Sequence, residues 1–128
     1  MTSSDIQKYK KYTVADLIKK AQVKFNARIR ARDEGKPCIN CGKYRKLQAG
    51  HFFPTSTHSY MRFMEDNCAG ECLQCNYYNS QSHSYGYRVN LEKRLGKERF
   101  DKLIDIGSTR PKGFKWDRFT LIEILLNE

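Results

Sequence analysis

Two Cys-x2-Cys pairs constrain this chain more than any other feature of its sequence. Cys38 and Cys41 form the first pair, and thirty residues separate it from the second pair, Cys72 and Cys75. Each pair supplies two thiolates from one tight turn, and four thiolates complete a tetrahedral zinc shell with no open position. We therefore predict one structural Zn²⁺ that ties two distant parts of the chain together.

The fifth cysteine, Cys68, leaves undecided which cysteine is one of the four zinc ligands. It can replace Cys72 as a ligand, although Cys72 and Cys75 make the more regular pair. We expect Cys68 to be a small buried apolar side chain instead. The odd number of cysteines favours metal binding over disulfide bonds, which indicates a reducing compartment.

The charge balance indicates a polyanionic partner. The chain has 128 residues, and its 24 Lys and Arg against 14 Asp and Glu give a net charge of +10. A surplus of that size on a small surface creates a positive field, and nucleic acid is the commonest cytoplasmic polyanion. No stretch approaches the roughly 18 apolar residues of a membrane span, and residues 1–12 have no apolar signal-like core. We expect a cytoplasmic DNA-binding protein without membrane association.

The length and the periodicity predict an α+β fold, with a flexible basic N-terminus over 1–12 and a single zinc-containing domain over 13–128. Thr13 and Asp16 form a capping box, and apolar residues at helical spacing then predict an amphipathic helix that ends before Gly35. The other predicted elements are a β-hairpin within 44–53 with His51 near the start of its second strand, a short helix over about 72–80, helices over 84–95 and 97–106 broken at Gly96, and an apolar helix opened by a capping box at Thr120 and running through Leu126.

A small polar set accompanies the cysteine pairs and suits phosphodiester hydrolysis. His51 follows Gly50, Asn67 comes sixteen residues after His51, and Asn76 directly follows the last cysteine. A hard cation such as Mg²⁺ binds an amide oxygen and takes its other oxygens from water and phosphate. A neutral imidazole nearby can accept a proton from the attacking water. We predict His51 as general base, Asn76 as ligand of a catalytic Mg²⁺ or Mn²⁺, and Asn67 as the residue that holds the second ring nitrogen of His51.

Several motifs carry a resemblance to known nucleases. The arrangement resembles the ββα-metal, or HNH, nuclease superfamily in its His-Asn-Asn form, and the end of the second cysteine pair resembles the endonuclease VII family. The stretch from about residue 25 to 96 is similar to the NinG (Rap) recombination proteins of lambda-like phages. The matching pieces are Arg30-Ala31-Arg32-Asp33, Cys38-x2-Cys41-Gly42, Gly50-His51-Phe52-x-Pro54, Arg62-Phe63, Asn67-Cys68, Cys72-x2-Cys75-Asn76, and a tail with Tyr87, Leu91 and Gly96.

The resemblance implies a zinc-braced ββα-metal core over about 38–80, flanked by an N-terminal amphipathic helix and C-terminal helices. It also implies a metal-dependent endonuclease that cuts branched DNA, such as Holliday junctions and D-loops, during phage recombination in the host cytoplasm. Many members of the superfamily have an Asp before the catalytic His as a further metal ligand, and here that position is Gly50. The nearby candidates for this missing ligand are Glu65, Asp66 and His58.

Further residues are candidates for DNA contacts. Arg62 suits a phosphate clamp, and the cluster of Lys43, Arg45 and Lys46 lies beside the first cysteine pair, where backbone contacts are expected. Tyr77 and Tyr78 are candidates for stacking on an exposed base, and equally for core packing. The sequence leaves open whether the protein acts as a homodimer.

Two other functions share the main features of this sequence. A zinc-knuckle DNA-binding protein that does not cut would have the same cysteines and charge, and a zinc-containing protein-interaction module is less compatible with a charge of +10. The set of His51, Asn67 and Asn76 favours the nuclease, because a pure binding protein has no need of it.

Overall fold

The computed structural model describes residues 1–78 and 84–127. Helices alternate there with one two-stranded antiparallel sheet, which confirms the predicted α+β class. The elements are α1 (Ser3–Lys8), α2 (Val14–Arg32), β1 (Leu47–His51), β2 (Cys68–Cys72), α3 (Ser84–Leu95), α4 (Lys97–Thr109) and α5 (Arg118–Asn127), with short 3₁₀ turns at Ser59–Met61 and Glu65–Asn67 and a π-helix at Gln74–Tyr78. No helix among the described residues is long and apolar enough to cross a membrane.

Helix α2 begins and ends where the sequence predicts. The Thr13 hydroxyl accepts a hydrogen bond from the Asp16 backbone N–H at 3.1 Å, and the Asp16 carboxylate accepts one from the Thr13 N–H at 3.2 Å. This capping box satisfies two amide groups that the first turn leaves without helical partners. The buried face of the helix carries Leu17, Ala21, Phe25 and Ile29.

The predicted hairpin within 44–53 is wrong in its second strand. Strand β1 pairs with β2, in a register that sets Leu47 opposite Cys72 and His51 opposite Cys68. His51 is thus the last residue of the first strand, and residues 52–67 connect the two strands. The sequence Cys-Ala-Gly-Glu-Cys of β2 has no β-branched or aromatic residue, so its strand signal is weak, and burial of all five positions forms the strand instead.

The two faces of the hairpin pack against different helices. Side chains alternate between the faces of a strand, so Cys68 and Ala69 point to opposite sides. Cys68 packs with Phe25 and Ile29 of α2. Ala69 belongs to a second cluster with Tyr87 and Leu91 of α3 and with Phe100 and Leu103 of α4. The hairpin is therefore enclosed between α2 and the α3–α4 pair.

The ends of the chain differ from the prediction. We expected residues 1–12 to be a flexible basic segment, but α1 forms there with its own capping box at Thr2, and Tyr9 is buried against α2 and α5. Helix α5 begins at Arg118 rather than at Thr120, because the Asp117 carboxylate accepts hydrogen bonds from the Thr120 N–H at 3.0 Å and hydroxyl at 2.6 Å. The predicted cap at Thr120 therefore lies three residues after Asp117, which caps the helix in the structure.

The central helices follow the prediction more closely. Helix α3 ends at Leu95, and Gly96 has a φ of 85°, a conformation that other residues rarely adopt, so the break before α4 falls at the predicted residue. Helix α4 runs three residues beyond the predicted end, to Thr109. The predicted helix over 72–80 is a π-helix at Gln74–Tyr78. Residues 79 and 80, the last two of the predicted helix, lie outside the described residues.

A buried carboxylate links three of these elements. Asp33, at the end of α2, has no exposed surface. Its oxygens accept hydrogen bonds from Arg32 Nε at 2.8 Å, from the Gly70 N–H of β2 at 2.7 Å and from Arg94 Nη1 of α3 at 2.9 Å. Burial alone would raise the pKa of Asp33, but the hydrogen bonds from Arg32 and Gly70 and the charges of Arg32 and Arg94 outweigh it and bring the pKa to about 2. The Arg32-Asp33 motif therefore holds α2, the hairpin and α3 together.

We predict that Asp33→Asn lowers the free energy of unfolding by about 2 kcal/mol at neutral pH, because the carboxylate loses its charge while the two arginines stay. The folded pKa lies below the unfolded value of 3.8, so the contribution is present above pH 4 and disappears as the pH falls towards 2. Urea unfolding of the wild type and the variant at several pH values measures this difference in the free energy of unfolding. The control is Asp101→Asn, whose exposed ion pair with Lys97 should leave stability nearly unchanged. Equal effects of the two substitutions would contradict the role of Asp33.

Candidate functional site

The four predicted zinc ligands lie together. The sulfur atoms of Cys38, Cys41, Cys72 and Cys75 all lie within 4.8 Å of one another. Cys38, Cys72 and Cys75 are buried, and Cys41 is exposed. Four thiols at such separations match the donor set of a structural zinc site, and no fifth donor is needed to complete the shell. The cluster is therefore compatible with the predicted structural Zn²⁺.

The first cysteine pair sits on a tight turn. The Gly42 N–H donates to the Cys38 carbonyl at 3.0 Å, and the Cys38 N–H donates to the Lys43 carbonyl at 2.9 Å. Gly42 has a φ of 75°, which explains the glycine at this position. The turn is fixed to the sheet because the Cys72 N–H donates to the Cys38 sulfur at 3.3 Å.

Cys68 lies outside this cluster. Its side chain is buried with Phe25 and Ile29 on the α2 side of the hairpin. Burial raises the pKa of Cys68 to about 12, so the thiol stays protonated at neutral pH. Cys68 is the buried apolar residue that we expected, and Cys72 is the cysteine that joins the cluster.

His51 occupies the end of β1. Its ring stacks on Phe25 with 6.4 Å between centroids, and its Nε2 lies 3.0 Å from the Arg62 carbonyl oxygen. A carbonyl only accepts hydrogen bonds, so Nε2 carries the proton and Nδ1 keeps the lone pair. Among the described residues Nδ1 has no hydrogen-bond partner. Burial lowers the pKa of His51, and the Arg62 carbonyl acts in the opposite direction. The ring is therefore neutral at pH 7 and presents one basic nitrogen.

Asn67 does not hold the His51 ring as predicted. Its Oδ1 accepts from the Phe53 N–H at 2.8 Å, and its Nδ2 donates to the carbonyls of Phe53 at 3.0 Å and Met61 at 3.2 Å. The Asn67 carbonyl also accepts from the Phe52 N–H at 2.9 Å. Asn67 therefore closes the 52–67 connection at its base. It acts on His51 only indirectly, since that connection carries the Arg62 carbonyl.

Asn76 lies on the other face of β1 from His51. Its Nδ2 donates to Gln48 Oε1 at 2.9 Å, and Gln48 and His51 alternate along the strand to opposite sides. The hydrogen bond uses the amide nitrogen of Asn76, whereas a cation would bind the carbonyl oxygen. Gly50 lies between the two residues and presents no side chain. The structure thus places His51 and Asn76 on opposite faces of β1, with Asn76 nearer to the cysteine cluster and His51 at the far end of the strand.

The three candidates for the missing metal ligand are engaged elsewhere. Glu65 pairs with Arg28 at 2.6 Å, and Asp66 pairs with Arg99. His58 is buried, with Nδ1 2.8 Å from the Thr57 hydroxyl and Nε2 3.0 Å from the Gly107 carbonyl. These contacts make His58 a packing residue between the 52–67 connection and α4.

The candidate DNA-contacting residues divide into two groups. Lys43, Arg45 and Lys46 are exposed beside the first cysteine pair. Arg45 and Lys46 line a groove of about 560 Å³ together with Arg30, Lys36 and the exposed Tyr44. Arg62 is half-buried and donates from Nε to the Ser59 hydroxyl at 3.1 Å, so its side chain is partly committed to the fold. Tyr77 is exposed, and the side chain of Tyr78 lies outside the described residues.

Sequence reasoning missed three residues that shape this site. Glu71 is fully buried beside Gly50, Gln48 contacts Asn76, and the Tyr87 hydroxyl donates to the Gly50 carbonyl at 2.6 Å. One signal was available for Glu71, since a lone acid between two cysteines of a buried strand is unusual. The contact of Gln48 follows from the strand register, and that of Tyr87, a residue of the matching motifs, follows from the packing of α3 on the hairpin.

We predict that the purified protein carries about one zinc per chain and that removing it unfolds the domain, because zinc binding in small domains is worth ~10–16 kcal/mol. Cys72→Ser should lose the metal, whereas Cys68→Ser should keep it and lose only some stability. Metal analysis by mass spectrometry together with circular dichroism measures both effects. A folded, zinc-free wild-type sample would refute the zinc site, and zinc loss in Cys68→Ser would refute the ligand set.

Comparison with known proteins places the chain among phage proteins. The family model of the Bacteriophage Lambda NinG protein matches residues 2–124. Protein ninG of Escherichia phage lambda is 41% identical over 88 residues, and protein ninG of Salmonella phage P22 is 40% identical over 88 residues. Each alignment covers 67% of this chain and 43% of the relative, so the chain matches less than half the length of these proteins. No solved structure matches the chain.

The family match covers nearly the whole chain and includes both cysteine pairs, His51, Asn67 and Asn76. It confirms the part of the resemblance that concerns the phage family. The chain belongs to the family of the bacteriophage lambda NinG protein.

Proposed function

We propose that this protein is a metal-dependent DNA endonuclease of the ββα-metal type, with His51 as general base and branched DNA as substrate. The observation that carries the proposal is the hydrogen bond between His51 Nε2 and the Arg62 carbonyl. That bond fixes the tautomer and leaves Nδ1 as the basic atom at the end of a hairpin with a zinc-type cluster at its other end. The branched-DNA preference rests on the family resemblance.

The proposed reaction is hydrolysis of one phosphodiester bond. A water oxygen forms a bond to phosphorus, its proton passes to His51 Nδ1, and the bond from phosphorus to the leaving sugar oxygen breaks. The leaving oxygen takes its proton from solvent. A bound Mg²⁺ or Mn²⁺ supplies Lewis-acid stabilisation of the charge on the phosphate and the leaving oxygen.

Position 50 explains how the two halves of the site can serve one phosphate. His51 faces the α2 side of the hairpin, and Asn76 contacts the opposite side through Gln48. Gly50 lies between Gln48 and His51 along the strand, and the Glu71 carboxylate occupies the space beside it. A phosphate against this part of β1 would meet the base on one side and the Asn76 carbonyl oxygen, as metal ligand, on the other. The amide and carboxylate oxygens on that side suit a hard cation, so the donor set fits the implied metal.

The surface charge supports DNA as the substrate. The acidic side chains of Asp33, Glu65 and Asp66 are paired with arginines, and lysines line the groove beside α2. A second groove, of about 510 Å³, combines Lys8, Lys11, Lys20 and Lys24 with the rings of Tyr9 and Tyr12. Such a surface binds phosphates through charge, and the partly exposed ring of Tyr12 offers a face for stacking on a base.

A zinc-containing DNA-binding protein without nuclease activity is the second candidate. The basic grooves and the cysteine cluster support it equally. The two candidates differ in the role of His51, so variants of that residue distinguish them.

We predict that His51→Ala abolishes cleavage of branched DNA in the presence of Mg²⁺ or Mn²⁺ and leaves zinc content and DNA affinity unchanged, because the base is lost and the zinc site is untouched. His58→Ala is the matched control. It should lower the melting temperature, since His58 packs between Phe53 and Tyr60, but it should cut at a rate close to wild type at a permissive temperature. Gel assays of labelled junctions and linear duplexes, with EDTA as blank, measure cleavage.

The pH profile of wild-type cleavage gives an independent readout of the same residue. Only the neutral ring accepts a proton, so the rate should rise with pH and level off once His51 is deprotonated. Because burial lowers the pKa of His51, the midpoint should lie below the usual 6.5. Native-rate cutting by His51→Ala would refute the assignment of the base. Binding of DNA without any cleavage by the wild type would favour the second candidate.

We predict that Arg45→Ala/Lys46→Ala weakens DNA binding and flattens its dependence on salt. Each lost phosphate contact should reduce the slope of log affinity against log salt concentration by about 0.9, so the double variant should lose up to about 2. Lys97→Ala/Lys102→Ala removes the same charge from the exposed surface of α4 and is the control. Fluorescence anisotropy at several salt concentrations measures both. Equal slopes for the two variants would exclude a specific role for the groove beside the cysteines.

A further inference from the structure

The face of the hairpin opposite His51 carries a compact set of amide and carboxylate side chains. Gln48 and Glu71 are direct cross-strand partners, so their side chains leave the sheet on the same side. Asn76 reaches the same side from the π-helix, with its Nδ2 2.9 Å from Gln48 Oε1. Asn40, from the first cysteine turn, contributes an Nδ2 3.4 Å from Glu71 Oε2. Three amides and one carboxylate therefore meet beside the second cysteine pair.

The Glu71 carboxylate occupies the space beside Gly50. A Cβ atom built on Gly50 would overlap Glu71 Oε1 and would lie 3.0 Å from Glu71 Cβ and 3.2 Å from Glu71 Cδ. Gly50 has an ordinary extended conformation, so its backbone would accept a side chain. The glycine is thus needed for space, and the carboxylate of the partner strand fills the position that a side chain at residue 50 would take.

The other acids around the hairpin have different roles. Asp33 is held by Arg32 and Arg94, and Glu65 and Asp66 each pair with an arginine on the surface. Glu71 has no exposed surface. Glu71 lies on the same face of the sheet as Gln48 and Asn76, and its carboxylate is a hard oxygen ligand of the kind that a divalent cation binds. Its one-residue separation from Cys72 does not bring it into the sulfur cluster, because adjacent strand residues face opposite sides.

We propose that Glu71 is the carboxylate ligand of the catalytic divalent metal, with the Asn76 carbonyl oxygen as the second protein ligand. This assignment rests on the proposed nuclease function and completes its metal site. A hard cation with these two oxygens keeps its other positions for water and phosphate, as Mg²⁺ does in nucleases that borrow ligands from the substrate. Glu71 and Asn76, which would hold the metal, lie on the face of β1 opposite to the His51 side chain.

The first experiment measures metal binding without cleavage. Mn²⁺ binding is followed by electron paramagnetic resonance on zinc-loaded protein in the His51→Ala background, with branched DNA present to supply phosphate oxygens. Adding Glu71→Gln should weaken Mn²⁺ binding at least tenfold and leave one zinc per chain and the DNA affinity unchanged, because the amide keeps the size of the side chain and removes its charge. Glu65→Gln is the matched control and should have no effect, since Glu65 pairs with Arg28 at the surface.

The second experiment exchanges the carboxylate between strands and guards against misfolding of the single variant. Gly50→Asp alone should destabilise the protein, because its Cβ overlaps Glu71. Gly50→Asp/Glu71→Ala removes the overlap and returns a carboxylate to the same space, so it should bind Mn²⁺ more tightly than Glu71→Ala. Failure of the exchange to improve binding, in a folded and zinc-loaded double variant, would overturn the assignment.

The outcomes separate this proposal from the proposed function. Wild-type cleavage that depends on His51, combined with native Mn²⁺ binding in Glu71→Gln, would overturn the Glu71 assignment and leave the nuclease standing. Absence of Mn²⁺ binding and cleavage in the wild type would overturn both.

Discussion

Two strands of five residues bury too little surface to stay paired alone, so the site depends on what clamps the β1–β2 hairpin from outside. Three sets of contacts, called clamps below, hold the hairpin at different positions along its strands. The cysteine cluster holds the end where Leu47 faces Cys72, Asp33 holds the middle through the Gly70 N–H, and Asn67 holds the end beside His51. Each clamp joins the hairpin to a segment that is distant in the sequence. The pairing of β1 and β2 is therefore stabilised by long-range contacts.

The proposed metal ligands Glu71 and Asn76 lie next to the cysteine cluster, but Glu71 and Cys72 face opposite sides of the sheet. Sulfur ligands suit zinc and leave no open position, whereas the amide and carboxylate oxygens near Gly50 suit a hard cation. Asn67 keeps the long connection in place, and this puts the Arg62 carbonyl against His51. In the proposed nuclease, the zinc-type cluster thus sets the strand register while taking no part in the chemistry.

The sequence was informative where short-range patterns decide the structure. The cysteine spacing identified the four-sulfur cluster, and the Thr13 capping box located the start of α2. The strand partner of β1 could not be predicted, because β2 is fixed by burial and by the Asp33 clamp rather than by its own residues. The role of Asn67 was missed for a related reason. Which carbonyl reaches His51 depends on the path of residues 52–67, and no local pattern encodes that path.

Strand register and the proposed metal site are coupled through Gly50. In the observed register Glu71 lies opposite Gln48, and its carboxylate reaches diagonally over Gly50. A shift of one residue would turn Glu71 towards α2 and remove it from Asn76, since side chains alternate between faces. A carboxylate supplied by the opposite strand therefore requires a fixed register, whereas one carried by residue 50 itself would not. If the protein is the proposed nuclease, the cysteine cluster beside β2 supports catalysis because it prevents a one-residue shift in the strand register.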